Sequence, residues 1–285
     1  MAQIGPYTLH TIETGRFRLD GGAMFGIIPK PLWEKKIEAD TKNRIPLNMR
    51  CLVIEGLGQR ILVDTGIGSK FSEKFASIYG VDHSEHTLDA SLSAAGIAPA
   101  SVTDVILTHL HFDHAGGATC ERGGGVVPAF PEATYHVQRD HWSVAHAPTL
   151  REKNSFLRHN FDPIEAAGQL NLIDGPETLW SGIDVIPIHG HTQAQQMIKI
   201  YGENADTLLY AADLVPTTAH VPLVWGMGFD IRPLITIDEK QTYLRRAADG
   251  GWTLFFEHDP AVEIANIART DRGFEAVQCR SLSEL

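Results

Sequence analysis

Six consecutive residues, His109-Leu110-His111-Phe112-Asp113-His114, carry three imidazoles and a carboxylate. That density of neutral nitrogen and anionic oxygen donors suits a divalent metal such as Zn²⁺, Mn²⁺ or Fe²⁺. The run follows Val102-Thr103-Asp104-Val105-Ile106-Leu107, an apolar, β-branched stretch that reads as a buried strand. His109 and His111 stand two apart, so in extended chain they point the same way and can share one cation. Asp113 and His114 follow where the chain turns and can serve a second cation. Ala115, Gly116 and Gly117 let the backbone fold closely around such a site. A lone histidine is usually an ordinary surface or core residue, but three with an aspartate directly after a buried strand are not.

Four residues cannot complete two metal sites. Three further runs place a donor where an apolar strand ends. Val185-Ile186-Pro187-Ile188-His189-Gly190-His191 leads to His191. Leu208-Leu209-Tyr210-Ala211-Ala212-Asp213 leads to a carboxylate. Trp252-Thr253-Leu254-Phe255-Phe256-Glu257-His258 leads to His258, with Glu257 and Asp259 beside it as supports or turn formers. Each is weak evidence alone, and the recurrence of one structural context strengthens all three. His83, His86, His136, His141, His146 and His159 lack that context and read as surface or helix residues.

These motifs resemble the metallo-β-lactamase-fold superfamily of metallo-hydrolases. The HxHxDH signature stands at His109, His111, Asp113 and His114, and the later motifs at His191, Asp213 and His258. Leu62-Val63-Asp64-Thr65-Gly66 is similar to the first motif of the family, whose aspartate, here Asp64, supports the metal loop. The resemblance implies a single domain over residues 1–285, an α/β (α+β) fold built as a four-layer αββα sandwich of two mixed β-sheets flanked by helices. It also implies two divalent metal ions, zinc first and Mn²⁺ or Fe²⁺ as alternatives. His109, His111 and His191 would hold one, Asp113, His114 and His258 the other, and Asp213 with a hydroxide would bridge them.

The spacings from His191 to Asp213 and on to His258 are similar to those of N-acyl-homoserine lactonases. Those enzymes carry a tyrosine shortly after the bridging aspartate. Here residues 214–220 contain none, and His220 stands where a comparable hydrogen-bond donor would be. The expected chemistry is hydrolysis of an ester-like bond in a small, partly apolar molecule, a lactone first, then an organophosphate, thioester or phosphodiester. Asp113 would pass a proton to the leaving group. An iron-dependent oxidoreductase is the alternative class; the retained Asp113, His114 and His258 argue against it.

The chain must bring motifs spread from residue 60 to 260 to one place, which favours one large domain among 285 residues. No linker, low-complexity segment or repeat interrupts it. With 35 acidic and 24 basic residues the formal charge is −11, unlike the basic surface that selects nucleic acid. No 18-residue apolar run suggests a membrane span. Cys51, Cys120 and Cys279 form no framework and point to a reducing compartment. With no basic, apolar leader in residues 1–15, the expectation is a cytoplasmic protein acting on a small molecule, as a monomer or a homodimer. Cys120, six residues after His114, reads as a small buried residue.

The elements expected to position the donors are a strand over residues 7–19, a glycine-rich loop from Asp20 to Gly26, and a hairpin of strands 50–54 and 60–64 around Gly56-Leu57-Gly58. Helices are expected near 69–79, 87–95, 141–146 and 237–248, and a helical stretch over 155–160. Strands are expected at 105–108, 133–138, 183–188, 196–201, 207–212 and 252–256. Two segments rich in apolar residues, glycine and proline suit loops beside a cleft. One contains Met24 and Phe25; the other, residues 220–229, contains Trp225 and Met227. These four are the candidate substrate pocket.

Overall fold

In a computed structural model that describes residues 1–203 and 206–285, the chain forms two seven-stranded sheets. The first runs Ala2–Ile4, Tyr7–Asp20, Arg44–Gly56, Gln59–Val63, Asp104–Ile106, Thr134–Gln138, Leu170–Ile173 in spatial order. The second runs Glu177–Trp180, Ile183–Ile188, Gln195–Tyr201, Thr207–Tyr210, Thr253–Phe255, Ile264–Thr270, Gly273–Arg280. Both are mixed. Antiparallel hairpins give way to parallel pairs at Gln59–Val63 with Asp104–Ile106, and at Thr207–Tyr210 with Thr253–Phe255. These parallel strands are the ones whose C-terminal ends carry most of the candidate donors.

Strand alternation explains the layering. Leu52, Ile54, Ile61, Val63 and Ile106 face Ile198, Ile200, Leu208, Tyr210 and Phe255 in a core between the sheets. Their neighbours Cys51, Val53, Leu62 and Val105 point to the opposite face, where they pack with Leu88, Leu92, Trp142 and Ile164 from the helices Leu88–Ala94, Arg139–His146 and Asp162–Ala166. Leu209 and Leu254 turn outward against Leu244 and Ala247 of the helix Pro233–Gly250. Each central strand is buried on both faces, which is why it reads as a continuous apolar run rather than as an alternation. The order of layers is helix, sheet, sheet, helix.

Most expected elements form, with shifted ends. The hairpin turn uses Leu57 and Gly58, both with positive φ, as a two-residue turn matched to strand twist requires. The long helix starts at Pro233, where a missing N–H costs nothing, and stops at Gly251 in the left-handed conformation. The expected loop at 20–26 is instead a short helix, Gly21–Phe25, with the Asp20 carboxylate accepting from the Ala23 N–H at 2.8 Å. Two glycines at its start obscured an aspartate cap. The stretch at 155–160 is helical only as a single 3₁₀ turn, Arg158–Asn160. The small strands at both edges and the last strand, Gly273–Arg280, carry too little apolar pattern to be read, and Ile264–Thr270 is buried only over its first half. Among the described residues, no helix is long and apolar enough to cross a membrane. The three cysteines are free; Cys120 is partly exposed on the strand Thr119–Arg122 rather than buried.

Candidate metal centre

The strand Asp104–Ile106 hands over to the candidate ligands through Thr108. Its N–H donates to Asp64 Oδ1 and its hydroxyl to Asp64 Oδ2, both at 2.7 Å. Asp64 is wholly buried and sits at φ +57°, a left-handed turn at the end of Gln59–Val63. Leu110 N–H donates to His141 Nε2 at 2.8 Å, and His141 Nδ1–H donates to Gln193 O at 2.7 Å. The segment between His109 and His111 is therefore clamped on both sides. The chain then turns as the short helix Phe112–Ala115, which carries Asp113 and His114. Gly116 closes it: a Cβ there would lie 2.1 Å from the Ile67 carbonyl oxygen, so only glycine permits this approach.

The second sheet delivers the rest. The Glu239 carboxylate, on the helix Pro233–Gly250, accepts from His189 N–H (2.6 Å) and Gly190 N–H (3.0 Å), fixing the turn that ends in His191. Asp213 lies on a 3₁₀ turn, Ala212–Leu214, just after Thr207–Tyr210. His258 follows Thr253–Phe255, with its Nδ1–H donating to Asn48 O at 2.8 Å. All seven expected donors thus converge. Donor atoms of His109, His111, His191 and Asp213 lie within 4.8 Å of one another, and so do those of Asp113, His114 and His258.

Asp213 stands between the two groups. Its Oδ2 is 3.2 Å from His191 Nε2 and 3.9 Å from His109 Nε2; its Oδ1 is 3.3 Å from His258 Nε2 and 3.7 Å from His114 Nε2. One oxygen faces each group, the geometry of a bridging carboxylate. Asp113 Oδ2 is 3.8 Å from both His114 and His258.

Hydrogen bonding on the far side of each ring decides what the near side offers. His191 Nδ1–H donates to Asp230 Oδ1 (3.1 Å), and His114 Nδ1–H is 3.1 Å from both Asp64 Oδ2 and Glu257 Oε2. The Thr108 hydroxyl spends its proton on Asp64, so its oxygen accepts from His109 Nδ1–H at 3.0 Å. Each arrangement leaves a bare Nε2 lone pair turned inward. His258 Nε2 and His114 Nε2 then face each other at 3.1 Å; His109 Nε2 and His191 Nε2 both face His111 Nδ1, at 3.0 and 3.2 Å. Lone pairs packed this closely repel unless a proton or a metal cation lies among them. The donors fit a pair of divalent metals, with carboxylate or carbonyl oxygens behind three of the five histidines and the Thr108 hydroxyl behind a fourth, in the manner of metal-binding imidazoles. The same field acts on protons. Burial opposes charge on His258, but the hydrogen bond and charge of Asp213 raise it to about 9. Burial holds His109 and His111 well below the ordinary histidine value, and the neighbouring imidazoles add to that.

A cleft of about 340 Å³ opens onto these donors, the lower end of the range for small-molecule sites. His111, Asp113, His191, Asp213 and His258 form its floor. Leu19, Met24, Phe112, Met227, Phe229 and Ile231 supply an apolar wall, and Tyr79, Arg151, Glu152 and Ser155 a polar edge. Met24 and Met227 thus lie where the sequence placed them. Phe25 and Trp225 do not line the cleft. Phe25 is fully buried and stacked between Trp33 (5.3 Å) and His220 (4.7 Å), with Trp225 edge-on to it at 5.8 Å. These rings hold the wall from behind.

His220 is the main correction. Its Nε2–H donates to Met24 O and its Nδ1 accepts from Thr217 Oγ1, both at 2.8 Å. With both nitrogens engaged and the ring 1% exposed, it has no group to offer a substrate, and burial pulls it down to about 4. Its role is to fasten the Met24 segment. His141, expected at the surface or on a helix, does lie on the helix Arg139–His146 but is wholly buried beneath the His109–His111 segment. Asp230 and Glu152 had no sequence signal. Asp230 stands 39 positions from its partner His191, and Glu152, which accepts from Thr192 Oγ1 at 2.7 Å, stands 40 positions away. Only folding reveals such pairs.

Comparison with known proteins gives the family. Residues 46–258 match the family model of the metallo-beta-lactamase superfamily. The chain is similar to a probable metallo-hydrolase, Rv2300c of Mycobacterium tuberculosis, at 24% identity over 62% of each chain. It is 36% identical to the N-acyl homoserine lactonase AttM of Azorhizobium caulinodans over 60% of this chain and 63% of that one. The chain thus spans somewhat less than two thirds of the length of these curated relatives. A probable metal-dependent hydrolase from Staphylococcus aureus has the same fold over nearly its whole length (TM-score 0.89, 30% identity, 98% and 99% coverage). The dizinc quorum-quenching lactonase AidC, solved with a product, shares the fold at TM-score 0.79 and 22% identity over 98% and 96% of the chains. With its signature donors gathered at the ends of two facing sheets and three quarters of its length matched by the family model, the chain belongs to the metallo-β-lactamase superfamily.

Proposed function

We propose that this protein is a dinuclear, zinc-dependent hydrolase that opens an ester-like bond, a lactone first, in a small molecule with an apolar portion. The observation that carries this reading is Asp213, whose two oxygens each face one group of histidines on the floor of an accessible cleft. A pair of divalent cations held by His109, His111 and His191 on one side and Asp113, His114 and His258 on the other, with Asp213 between, would polarise a substrate oxygen and acidify water towards neutral pH.

The chain's own residues supply the rest. The ring partners Asp230, Asp64 and Asn48 hold the imidazoles in one tautomer and orientation, so little reorganisation is needed during reaction. Asp113, on the cleft floor, is placed to receive a proton and return it to the departing oxygen. The wall of Leu19, Met24, Phe112, Met227, Phe229 and Ile231 takes an alkyl or acyl chain and excludes water around it. Lactonase names among the relatives support a lactone over a phosphate ester. The acidic surface gives no footing to a polyanion.

The test is turnover by metal-loaded protein on matched lactones, thioesters, phosphotriesters and phosphodiesters. Lactones with an alkyl tail should give the highest kcat/KM, by at least about tenfold, roughly 1.4 kcal/mol of transition-state preference. Hydrolysis confined to phosphodiesters overturns the reading. Metal analysis of the purified protein should find close to two zinc ions per chain; one iron per chain would favour the oxidoreductase alternative.

A further inference from the structure

The geometry points to Asp230 as a positioning residue that locks one metal-binding histidine and the substrate wall into a single unit. Asp230 is 3% exposed and divides its carboxylate between two partners. Oδ1 accepts from His191 Nδ1–H at 3.1 Å; Oδ2 accepts from the backbone N–H of Met227, also at 3.1 Å. His191 belongs to the cleft floor and Met227 to its apolar wall. No other side chain among the described residues is shown bonding both a candidate ligand and the backbone of that wall.

The surroundings transmit the link in both directions. On the His191 side, Ile231 N–H donates to His191 O (3.0 Å) and Arg232 N–H to Gly190 O (2.8 Å), so the turn holding the histidine and the end of the loop move together. On the wall side, Gly228 N–H donates to Ala23 O at 2.7 Å, carrying the constraint to the segment that holds Met24. Arg151 reaches across the cleft mouth to the Gly228 carbonyl. Beneath, the buried Lys240 ammonium donates to the carbonyls of Pro222 (2.8 Å), Leu223 (3.3 Å) and Trp225 (2.9 Å). The loop is thus fastened at Pro222, Leu223 and Trp225 by Lys240 and at Gly228 by Ala23 and Arg151, and Asp230 ties Met227 between them to His191. A cation drawing on the His191 Nε2 lone pair makes the Nδ1–H more acidic and strengthens its bond to Asp230. The carboxylate is then fixed, and its second oxygen holds Met227 in place. Occupancy of the metal site and the rigidity of the substrate wall become one equilibrium, and any substrate gripped by Met227 and Phe229 meets a wall held more firmly in the loaded protein.

This inference rests on His191 being a metal ligand, and its test separates the two ideas. Amide hydrogen exchange of peptides spanning residues 222–231 is followed in the whole protein with and without bound Zn²⁺. Zn²⁺ affinity is measured by competition with a chelator for the unmodified protein and for Asp230→Asn. Asparagine keeps the shape but can accept from only one of the two donors, its NH₂ being turned against the other. Exchange in 222–231 should slow at least tenfold on loading the unmodified protein. In Asp230→Asn that difference should vanish and Zn²⁺ affinity fall about tenfold, within the range typical of lost ligand supports. The KM for a long-tailed substrate should also rise more than that for its short-tailed counterpart, a split that general loss of stability does not produce.

No Zn²⁺ binding by the unmodified protein defeats the metal reading itself. Zn²⁺ binding with identical exchange in the loaded and unloaded unmodified protein defeats the coupling alone, and that arm needs no variant to fold. Affinity unchanged within twofold in Asp230→Asn also overturns it.

Discussion

Two residues show how far a side chain's identity defines its role. Asp213 stands out in the sequence by its place at a strand end, because a carboxylate there is costly to bury without a positive partner. Its Oδ1 is buried and fronts two imidazole nitrogens, His258 Nε2 at 3.3 Å and His114 Nε2 at 3.7 Å. Asp213→Ala should therefore lose both metal occupancy and turnover, the latter by at least about a thousandfold, roughly 4 kcal/mol. Metal analysis and kinetics on the same preparation check this, and full activity with less than one metal per chain would refute the bridging assignment. His220 carries an equally reactive side chain with both nitrogens engaged inside the protein. It and His141 are held neutral by burial, both pulled down to about 4 from an ordinary 6.5. The unfolded chain takes up protons between those values while the folded chain does not. Stability from these two groups is therefore fully present above about pH 6.5 and is lost as pH falls towards 4, by roughly 2–3 kcal/mol each. Urea unfolding across that window should show the decline, and His220→Gln should make it shallower; an unchanged pH slope in the variant counts against the assignment.

At the scale of elements, the loop over residues 222–230 and the helix Pro233–Gly250 behave as one piece. Lys240 is 1% exposed, an expensive place for an ammonium, and all three of its donors are spent on loop carbonyls. Lys240→Met keeps the stem's bulk but takes the ammonium donors from these part-buried carbonyls, of which Pro222 O keeps the Trp225 N–H. A loss of about 2–4 kcal/mol in unfolding free energy should follow, with faster amide exchange across the loop. A loss below 1 kcal/mol would mean that water replaces the lysine. The segment Gly21–Phe25 works from the other side. Its Asp20 cap and its stack of Phe25 with Trp33 and His220 set Met24 against the cleft, which explains why aromatic residues that resembled pocket lining are its backing.

At the scale of the whole molecule, the donors come from both sheets, with Asp64 and the His109–His114 segment on one and His191, Asp213 and His258 on the other. A cation pair bound between them would tie the two halves together. Stripping metal with a chelator should therefore lower the unfolding temperature. Saturation at about 100 times Kd is worth about 2.7 kcal/mol, or roughly 5–10 °C for a chain of this size. A melting curve indifferent to chelator and to added Zn²⁺ would argue that the halves are joined by their apolar core alone. The local chemistry was legible in the chain itself. His109, His111, Asp113 and His114 declare themselves by density, and His191, Asp213 and His258 by position, because a buried strand is a continuous apolar run and the polar group that ends it stands out. The central strands followed from the same apolar runs, and the long helix from its amphipathic spacing. What only the fold decided is which polar groups stand behind the donors and which apolar ones face the substrate. Asp230, Glu152 and His141 meet their partners across some 30 to 40 residues of chain, and Phe25 and Met24 are adjacent in sequence yet face opposite ways. Such pairings depend on distances between separate elements, which spacing along a chain does not encode.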